Sequence, residues 1–377
     1  MTFDLDPAMT WFVIAGVIIV VIAAFLVGAR FGSRRALDRL HRYSRTHAPA
    51  DAEVDPTARY RAALIVNRTK ANAENIISTA RAVCRFEGWD PPLIFETSPS
   101  DSGEGVAEQA LEAEVDVVIV AGGDGTIRAV ASVLTGTSTP MGIVPIGTGN
   151  VLARNLDIVL DKPEWALRIA LWGHNRAVDV GTARLSRDGD RNVFMVMTGL
   201  GFDAEVMAKT TADAKSKLGW LAYLEAGSRT LVGRPSHVKI TYDEDYRVSA
   251  RVRSVIGGNC GKLQGGIQLL PEAVIDDGLL DVLVVSPKNL GQWVGVAASI
   301  IGRKTTKGLH TDIRKCRTVV IESRETLDVQ LDGDPAGTTR YLAMAILPGA
   351  INVKVPTTEQ RREIRAEAWP VCVGPRV

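Results

Sequence analysis

One stretch constrains this chain more than any other. Val115-Asp116-Val117-Val118-Ile119-Val120-Ala121 is a short, nearly continuous apolar run rich in β-branched residues. That is the pattern of a parallel strand buried on both faces. It breaks at Gly122-Gly123-Asp124-Gly125-Thr126, and Ile127, Val130, Ala131 and Leu134 then recur at helical spacing. Glycines in such a turn can adopt positive φ and bring backbone N–H groups close to an anion. The helix N-terminus behind the turn adds unpaired donors and a partial positive charge. Asp124 has no reason to attract a phosphate directly. It makes sense if a divalent cation arrives with the phosphate, because magnesium prefers carboxylate, water and phosphate oxygens. The plainer alternative is a tight strand-to-helix turn with Asp124 and Thr126 as capping residues.

A second glycine loop comes at once. Met141 to Ile146 reads as another short strand, then come Gly147-Thr148-Gly149-Asn150 and the helical start Val151-Leu152-Ala153-Arg154. Asn150 is placed to cap that helix. Two such units joined by a helix form a right-handed βαβ unit. Both loops then open at the carboxyl ends of adjacent strands, where ligands bind in such sheets. Neither loop carries the P-loop or the Rossmann signature.

Gly-Gly-Asp-Gly-Thr at 122–126 followed by Gly-Thr-Gly-Asn at 147–150 resembles the diacylglycerol kinase catalytic domain family, which includes bacterial lipid kinases and sphingosine kinases. NAD kinases share the first motif. The resemblance runs from about Arg59 to Pro356. It implies a two-domain lipid kinase fold: an N-terminal α/β nucleotide domain, a C-terminal antiparallel β-sandwich domain, and an active site in the cleft between them. It implies ATP and Mg²⁺ as cofactors, with Gly122, Gly123, Gly125, Thr126, Gly147, Thr148, Gly149 and Asn150 around the phosphates and Asp124 holding the catalytic ion. Asn67 falls in the family's Asn-Pro-x-Ser/Ala-Gly turn, whose backbone touches nucleotide phosphate, and Thr97 falls where the family has a Thr near the nucleotide. Here that turn reads Asn67-Arg68-Thr69-Lys70-Ala71, so Arg68 or Lys70 either contacts phosphate or faces solvent. After Asn150 the family often has Asp, and this chain has Val151.

Beyond Trp172 the texture changes to many short strands with turn signals, an antiparallel sheet or sandwich by pattern. The strands expected are Ala177–Gly181, Asn192–Thr198, His237–Tyr242, Arg247–Ile256, Leu279–Val285, Arg317–Glu322 and Thr326–Leu331, then Leu342–Leu347 and Ile351–Val355 flanking a Pro348-Gly349 turn. Two further matches to the family lie here. Around Asp276-Asp277-Gly278-Leu279 the family holds a structural magnesium, and the carried-over ligands are the Asp277 carboxylate and the carbonyls of Val274 and Leu279. The plainer reading of Asp277-Gly278 is a hairpin turn. Leu331-Asp332-Gly333-Asp334-Pro335 matches a family segment that typically reads Asp-Gly-Glu, its third residue the general base. Asp334 takes that place one methylene shorter, with Asp332 orienting it or sharing the task. The alternative is a type I or II turn of Asp and Gly. Gly199 to Ala204 and Lys217 to Leu224 also resemble the family.

From Pro7 to Ala29 there is no charge, and six arginines lie between Arg30 and Arg45. The run is long enough for a transmembrane helix. The positive-inside rule places its C-terminal side in the cytoplasm. The acidic residues Asp4 and Asp6 ahead of the run argue against a cleaved signal peptide. The expected organisation is therefore a transmembrane helix at 8–29, a basic juxtamembrane segment and linker at 30–58, the α/β nucleotide-binding domain at 59–172, the β-rich lipid-binding domain at 173–356, and a C-terminal helix and tail at 357–377. The expected localisation is the cell membrane, as a single-pass protein with cytoplasmic catalytic domains. Lys plus Arg number 44 against 43 Asp plus Glu, so charge gives no ground for a nucleic-acid partner. Four scattered cysteines show neither zinc-site nor C-x-x-C spacing, which suits reduced, structural thiols.

The expected activity is transfer of the γ-phosphoryl of ATP to a lipid hydroxyl, with diacylglycerol giving phosphatidic acid. The alternatives are another lipid (a sphingoid base or ceramide), a soluble substrate as in NAD kinases, and a membrane lipid-binding protein whose kinase site has decayed. The partners expected are the membrane lipid and the membrane itself; a homodimer is allowed.

Overall fold

The computed structural model describes residues 60–68, 72–201, 235–263, 268–287, 292 and 311–368. The expected transmembrane helix at 8–29, the linker, Lys70, the Lys217–Leu224 helix and the tail from Trp369 lie outside the described residues.

The first half alternates strand and helix: β1 (Ala62–Val66), α1 (Ala73–Phe86), β2 (Leu93–Glu96), α2 (Glu104–Glu112), β3 (Val117–Gly122), α3 (Asp124–Leu134), β4 (Met141–Pro145), α4 (Val151–Asn155) and α5 (Pro163–Trp172). β1, β3 and β4 are buried at every position, as near-continuous apolar runs must be when helices cover both faces. α1 turns Ile76, Ile77, Ala80, Val83 and Cys84 inward, the 3.6-residue period of a helix with one apolar face. α5 starts with Pro163 in its first turn, where the missing N–H has no partner to lose. The four strands are parallel in the order β2-β1-β3-β4. Their register is level: Val66 lies opposite both Glu96 and Ala121, and Ala121 opposite Val144.

The second half is antiparallel: β5 (His174–Arg184), β6 (Asn192–Phe194), β7 (Met197–Leu200), β8 (Ser236–Tyr242), β9 (Tyr246–Val252), β10 (Ser254–Gly258), β11 (Leu280–Val285), β12 (Thr311–Cys316), β13 (Thr318–Leu331) and β14 (Asp334–Val355), followed by α6 (Thr358–Ala368). The main path runs β12-β11-β10-β7-β13-β14. β14 is the spine of the molecule. Its first part pairs with β13, its later part with β5, and Val353 meets Met141 of β4 in parallel. One continuous ladder therefore joins the two halves, with one apolar core mainly around β1, β3 and β4 and a second between the antiparallel strands.

Five expectations about this half need correction. Arg247–Ile256 is two strands, because β9 pairs with β8 while β10 pairs with β7 and β11. Asn192–Thr198 is likewise two, β6 on β5 and β7 on β10 and β13. β12 is absent from the expected strands: Thr-Asp-Ile-Arg-Lys-Cys is too polar to read as one, and it forms at the sheet edge by pairing with β11. The runs at Arg317–Glu322 and Thr326–Leu331 are one strand, β13, with an irregularity between Glu322 and Leu327. Its first part pairs with β8 and its last with β7. Pro348-Gly349 is a kink inside β14 and not a turn between strands. A buried carboxylate accounts for this. Asp179, 1% exposed, accepts from the Gly349 N–H at 2.7 Å and the Gly278 N–H at 2.6 Å. The amide freed from the ladder at the kink is thus paired, and the strand continues.

The expected membrane localisation is also corrected. No helix among the described residues is long and apolar enough to cross a membrane.

Asp179→Ala should leave two amides without an acceptor and lower unfolding free energy by about 2–3 kcal/mol, read as a lower urea midpoint at unchanged m-value. An unaltered midpoint would mean that the kink does not depend on this carboxylate.

Candidate active site

The level register brings four chain segments to one edge, the carboxyl ends of parallel strands. Asn67 follows β1, Thr97 follows β2, the Gly122–Thr126 turn follows β3, and Gly147–Asn150 follows β4. The Thr97 N–H donates to the Val66 carbonyl at 3.0 Å. β1 lies between β2 and β3, so the chain leaves it in opposite directions, and ligands bind in doubly wound sheets at such a switch point. Arg68 is no free phosphate ligand in this arrangement: it pairs with Glu74 at 2.9 Å and Glu96 at 2.8 Å.

The two glycine loops touch backbone to backbone. A Cβ on Gly147 would sit 2.6 Å from the Gly123 Cα and 2.9 Å from the Asn150 Oδ1, so a side chain there must push the loops apart. The Ile146 N–H donates to the Gly122 carbonyl at 3.1 Å. Asn150 does not cap α4 as expected. It sits in the left-handed region at φ 47° with no side-chain capping bond, and its side chain turns back to close the loop. The Asn150 Nδ2 donates to the Gly147 carbonyl at 2.7 Å, and the Gly147 N–H to Asn150 Oδ1 at 3.0 Å.

The cap comes from the other loop. Asp124 Oδ1 accepts from the Val151 N–H at 2.7 Å and more weakly from Leu152 at 3.5 Å. Asp124 Oδ2 faces Gly149, 2.6 Å from where a Cβ would stand. Burial raises the Asp124 carboxyl above its ordinary value, amide bonds from Val151, Leu152 and Asn150 lower it, and the Asp334 charge raises it again. One oxygen of Asp124 is thus structural and the other faces the loops.

Asp334 reaches this place from the β-rich half. Leu331 and Asp334 pair across a two-residue loop in which Asp332 and Gly333 both have positive φ, at 51° and 91°. That is a type I′ hairpin turn and not the type I or II of the alternative reading, because the primed turns match the twist of the strands. The Asp334 Oδ2 lies 3.2 Å from the Cβ position of Gly125. Two groups hold the hairpin. Asp332 accepts three amides, from Met195 at 2.9 Å, Val196 at 2.8 Å and Met197 at 3.0 Å. Burial pushes its carboxyl up to about 6 against those donors. Arg128 donates through Nη1 to the Leu331 carbonyl and through Nη2 to Asp334 Oδ2 at 3.0 Å. Sequence reasoning missed Arg128. Its signal was present, since it stands four residues after Asp124 on α3 and so shares its helix face.

The expected magnesium ligands lie apart from this edge, in the loop before β11. The residues there do not fit a divalent ion. Asp277 Oδ1 accepts from the Leu279 N–H at 3.0 Å, and Oδ2 is held by the Lys315 ammonium at 2.6 Å. Lys315 also approaches Asp281, 3.5 Å away. Val274 lies in the same loop, which opens onto no hairpin: β10 and β11 pair across more than twenty intervening residues. Among the described residues no group of three or more His, Cys, Asp or Glu side chains is placed to hold a metal.

An α/β half with two touching glycine loops, facing a carboxylate delivered by a β-rich half, defines a two-domain kinase of the kind that acts on hydroxyl acceptors. Comparison with known proteins identifies which. Residues 61–183 match the diacylglycerol kinase catalytic domain, and residues 196–355 match the YegS C-terminal NAD kinase beta sandwich-like domain. The chain belongs to the YegS-like, diacylglycerol kinase-like family of lipid kinases. A protein of Pseudomonas aeruginosa (strain UCBPP-PA14) named "Probable lipid kinase YegS-like" is 32% identical over 303 residues, 78% of this chain and 94% of that protein. One of the same name from Pseudomonas syringae pv. tomato is 30% identical over 304 residues, with the same coverage. A crystal structure described as a diacylglycerol kinase from Bacillus anthracis str. Sterne superposes with a TM-score of 0.64 at 27% identity, covering 80% of this chain and 99% of that one. The relatives are thus matched over nearly their whole length, and no helix among the described residues is long and apolar enough to cross a membrane.

Gly147→Ala should force the loops apart and lower stability by about 1–3 kcal/mol, measurable by thermal melting. Wild-type stability in this variant would mean that the loops do not rely on their contact.

Proposed function

We propose that this chain transfers the γ-phosphoryl of ATP, bound with Mg²⁺ as substrate, to the free hydroxyl of diacylglycerol, giving phosphatidic acid. The observation that carries the transfer is the convergence of Asp334 on Gly125, one residue from Asp124. The choice of diacylglycerol is supported by the matched domain and by the related crystal structure described above.

In such a reaction the acceptor oxygen forms a bond to the γ-phosphorus as the bond to the β,γ-bridging oxygen breaks, and the protein's part is positioning and charge stabilisation. The amides of the 122–126 and 147–150 loops supply donors for the phosphates at the ends of β3 and β4. The Asp124 Oδ2 faces the loops, away from the Val151 cap, and would hold the magnesium that accompanies the nucleotide. Asp334 accepts the hydroxyl proton, which requires an approach of about 3 Å in the complex. Arg128 is a positioning residue: it fixes the Asp334 carboxylate and the Leu331 carbonyl together and sets a positive charge beside the transferring group.

The test is an assay of the purified chain with labelled ATP and mixed micelles of diacylglycerol, ceramide, sphingoid base or polyprenol. Phosphatidic acid as the main product supports the proposal. Another phosphorylated lipid overturns the choice of acceptor, and no transfer to any lipid overturns the activity. Two substitutions separate structure from chemistry at Asp124. Asp124→Asn keeps an acceptor for Val151 and should fold as wild type yet lose turnover, whereas Asp124→Ala should also lose about 1 kcal/mol of stability with the cap. Asp334→Asn should reduce kcat by about 10²–10⁴-fold with little change in KM for ATP; an unchanged kcat removes Asp334 as the base. Arg128→Met should reduce kcat about tenfold or more, a loss of roughly 1.4 kcal/mol in transition-state stabilisation, and Arg128→Lys should recover part of it. A change confined to KM for ATP would assign Arg128 to nucleotide binding instead.

A further inference from the structure

We infer that the Lys315 ammonium is the resident cation of the loop before β11, so that this loop is held by the chain's own charge and takes no divalent ion. Asp281 of β11 and Lys315 of β12 are direct partners across the antiparallel ladder. That register sends the lysine side chain toward the loop. Its Nζ donates to the Glu272 carbonyl at 3.1 Å and to Asp277 Oδ2 at 2.6 Å, and stands 3.5 Å from Asp281 Oδ2. An ammonium has three N–H donors and no acceptor, and three oxygens from three positions converge on it. One carbonyl and two carboxylates would otherwise be the donor set of a hard metal cation.

The surroundings point the same way. Asp281 is 1% exposed and its Oδ2 has no hydrogen-bond partner, so its charge needs a cation close by. The neighbouring carboxylate, Asp276, is met by Arg176 through Nε and Nη2, both at 2.9 Å. Asp179, behind the loop, is satisfied by two amides. The carboxylates of Asp179, Asp276, Asp277 and Asp281 are thus matched from within the chain. A divalent ion at Asp277 would have to displace Lys315 or sit beside a like charge.

The test reads stability, independently of kinase activity. The wild-type chain, melted without nucleotide, should give the same midpoint in EDTA and in millimolar Mg²⁺. Lys315→Met should melt several degrees lower in EDTA and recover part of that loss with millimolar Mg²⁺ or Ca²⁺, because it leaves the two carboxylates and the carbonyl around an empty cation position. Mn²⁺ titration followed by electron paramagnetic resonance, again without nucleotide, should find no wild-type site that Asp277→Asn removes. The inference is overturned by a wild-type midpoint that falls in EDTA and returns with Mg²⁺ in a manner abolished by Asp277→Asn. It is equally overturned by a Mn²⁺ site in the wild type that needs Asp277, or by a folded Lys315→Met indifferent to divalent ions. Should Lys315→Met fail to fold, the wild-type melt and titration decide alone.

Discussion

Three consecutive backbone amides, those of Met195, Val196 and Met197, end on the Asp332 carboxylate. The placement of Asp334 depends on that knot. A two-residue hairpin tip is a weak structure by itself, since a type I′ turn asks a non-glycine residue to hold positive φ. Charge-assisted bonds from the β6–β7 segment hold it to its own half, and Arg128 holds it to the other half through the Leu331 carbonyl and Asp334. The hairpin is therefore fixed from both sides. A proton acceptor has to stand within about 3 Å of its hydroxyl, which an untethered tip could not ensure.

The same economy runs through the glycine loops. They touch without side chains between them, and each supplies what the other lacks. Asp124 of the first loop caps the short helix behind the second, while Asn150, in left-handed geometry, is spent on closing its own loop. Capping and catalysis are often weighed as rival explanations of an Asp at a helix start. Here one oxygen of the carboxylate makes the cap and the other faces Gly149, so the cap leaves room for the proposed second role. This arrangement ties the position of the free oxygen to the packing of α4, so that the site is only as rigid as the loop contact.

Much of this was legible in the chain. The strands β1, β3 and β4 and the helices α1 and α3 follow from apolar runs and helical periods so pronounced that local pattern and tertiary demand coincide. The glycine motifs mark the edge where the two loops meet by close approach and not by positive φ, which none of their glycines has: a Cβ on Gly122 would stand 2.7 Å from Thr126 Cβ, and one on Gly147 2.6 Å from Gly123 Cα. What failed to read was decided by long-range partners. β12 is polar and is a strand only because β11 is beside it. Pro348-Gly349 has the composition of a turn, yet Asp179, 170 residues away, gives its amide an acceptor and the strand runs on. The Asp277-Gly278 segment resembles a metal loop, and a lysine 38 residues later occupies the cation's place. The hydrophobic segment near the N-terminus has the length and flanks of a membrane span, but length and apolarity describe only what a segment can do. The two family models match residues 61–183 and 196–355, both beyond that segment.

The sequence alone determined the groups available at the strand ends: two glycine loops, a carboxylate at a helix start, and an acidic hairpin tip late in the chain. It could do so because glycine turns and buried strands are set by residues next to one another. Only the tertiary structure decided which charges meet. Arg128 on Asp334, Asp124 on the start of α4, and Lys315 on Asp277 each join positions from 27 to 206 residues apart. An ion pair leaves no local periodicity in a sequence, and its energy depends on a distance that exists only once the chain has folded.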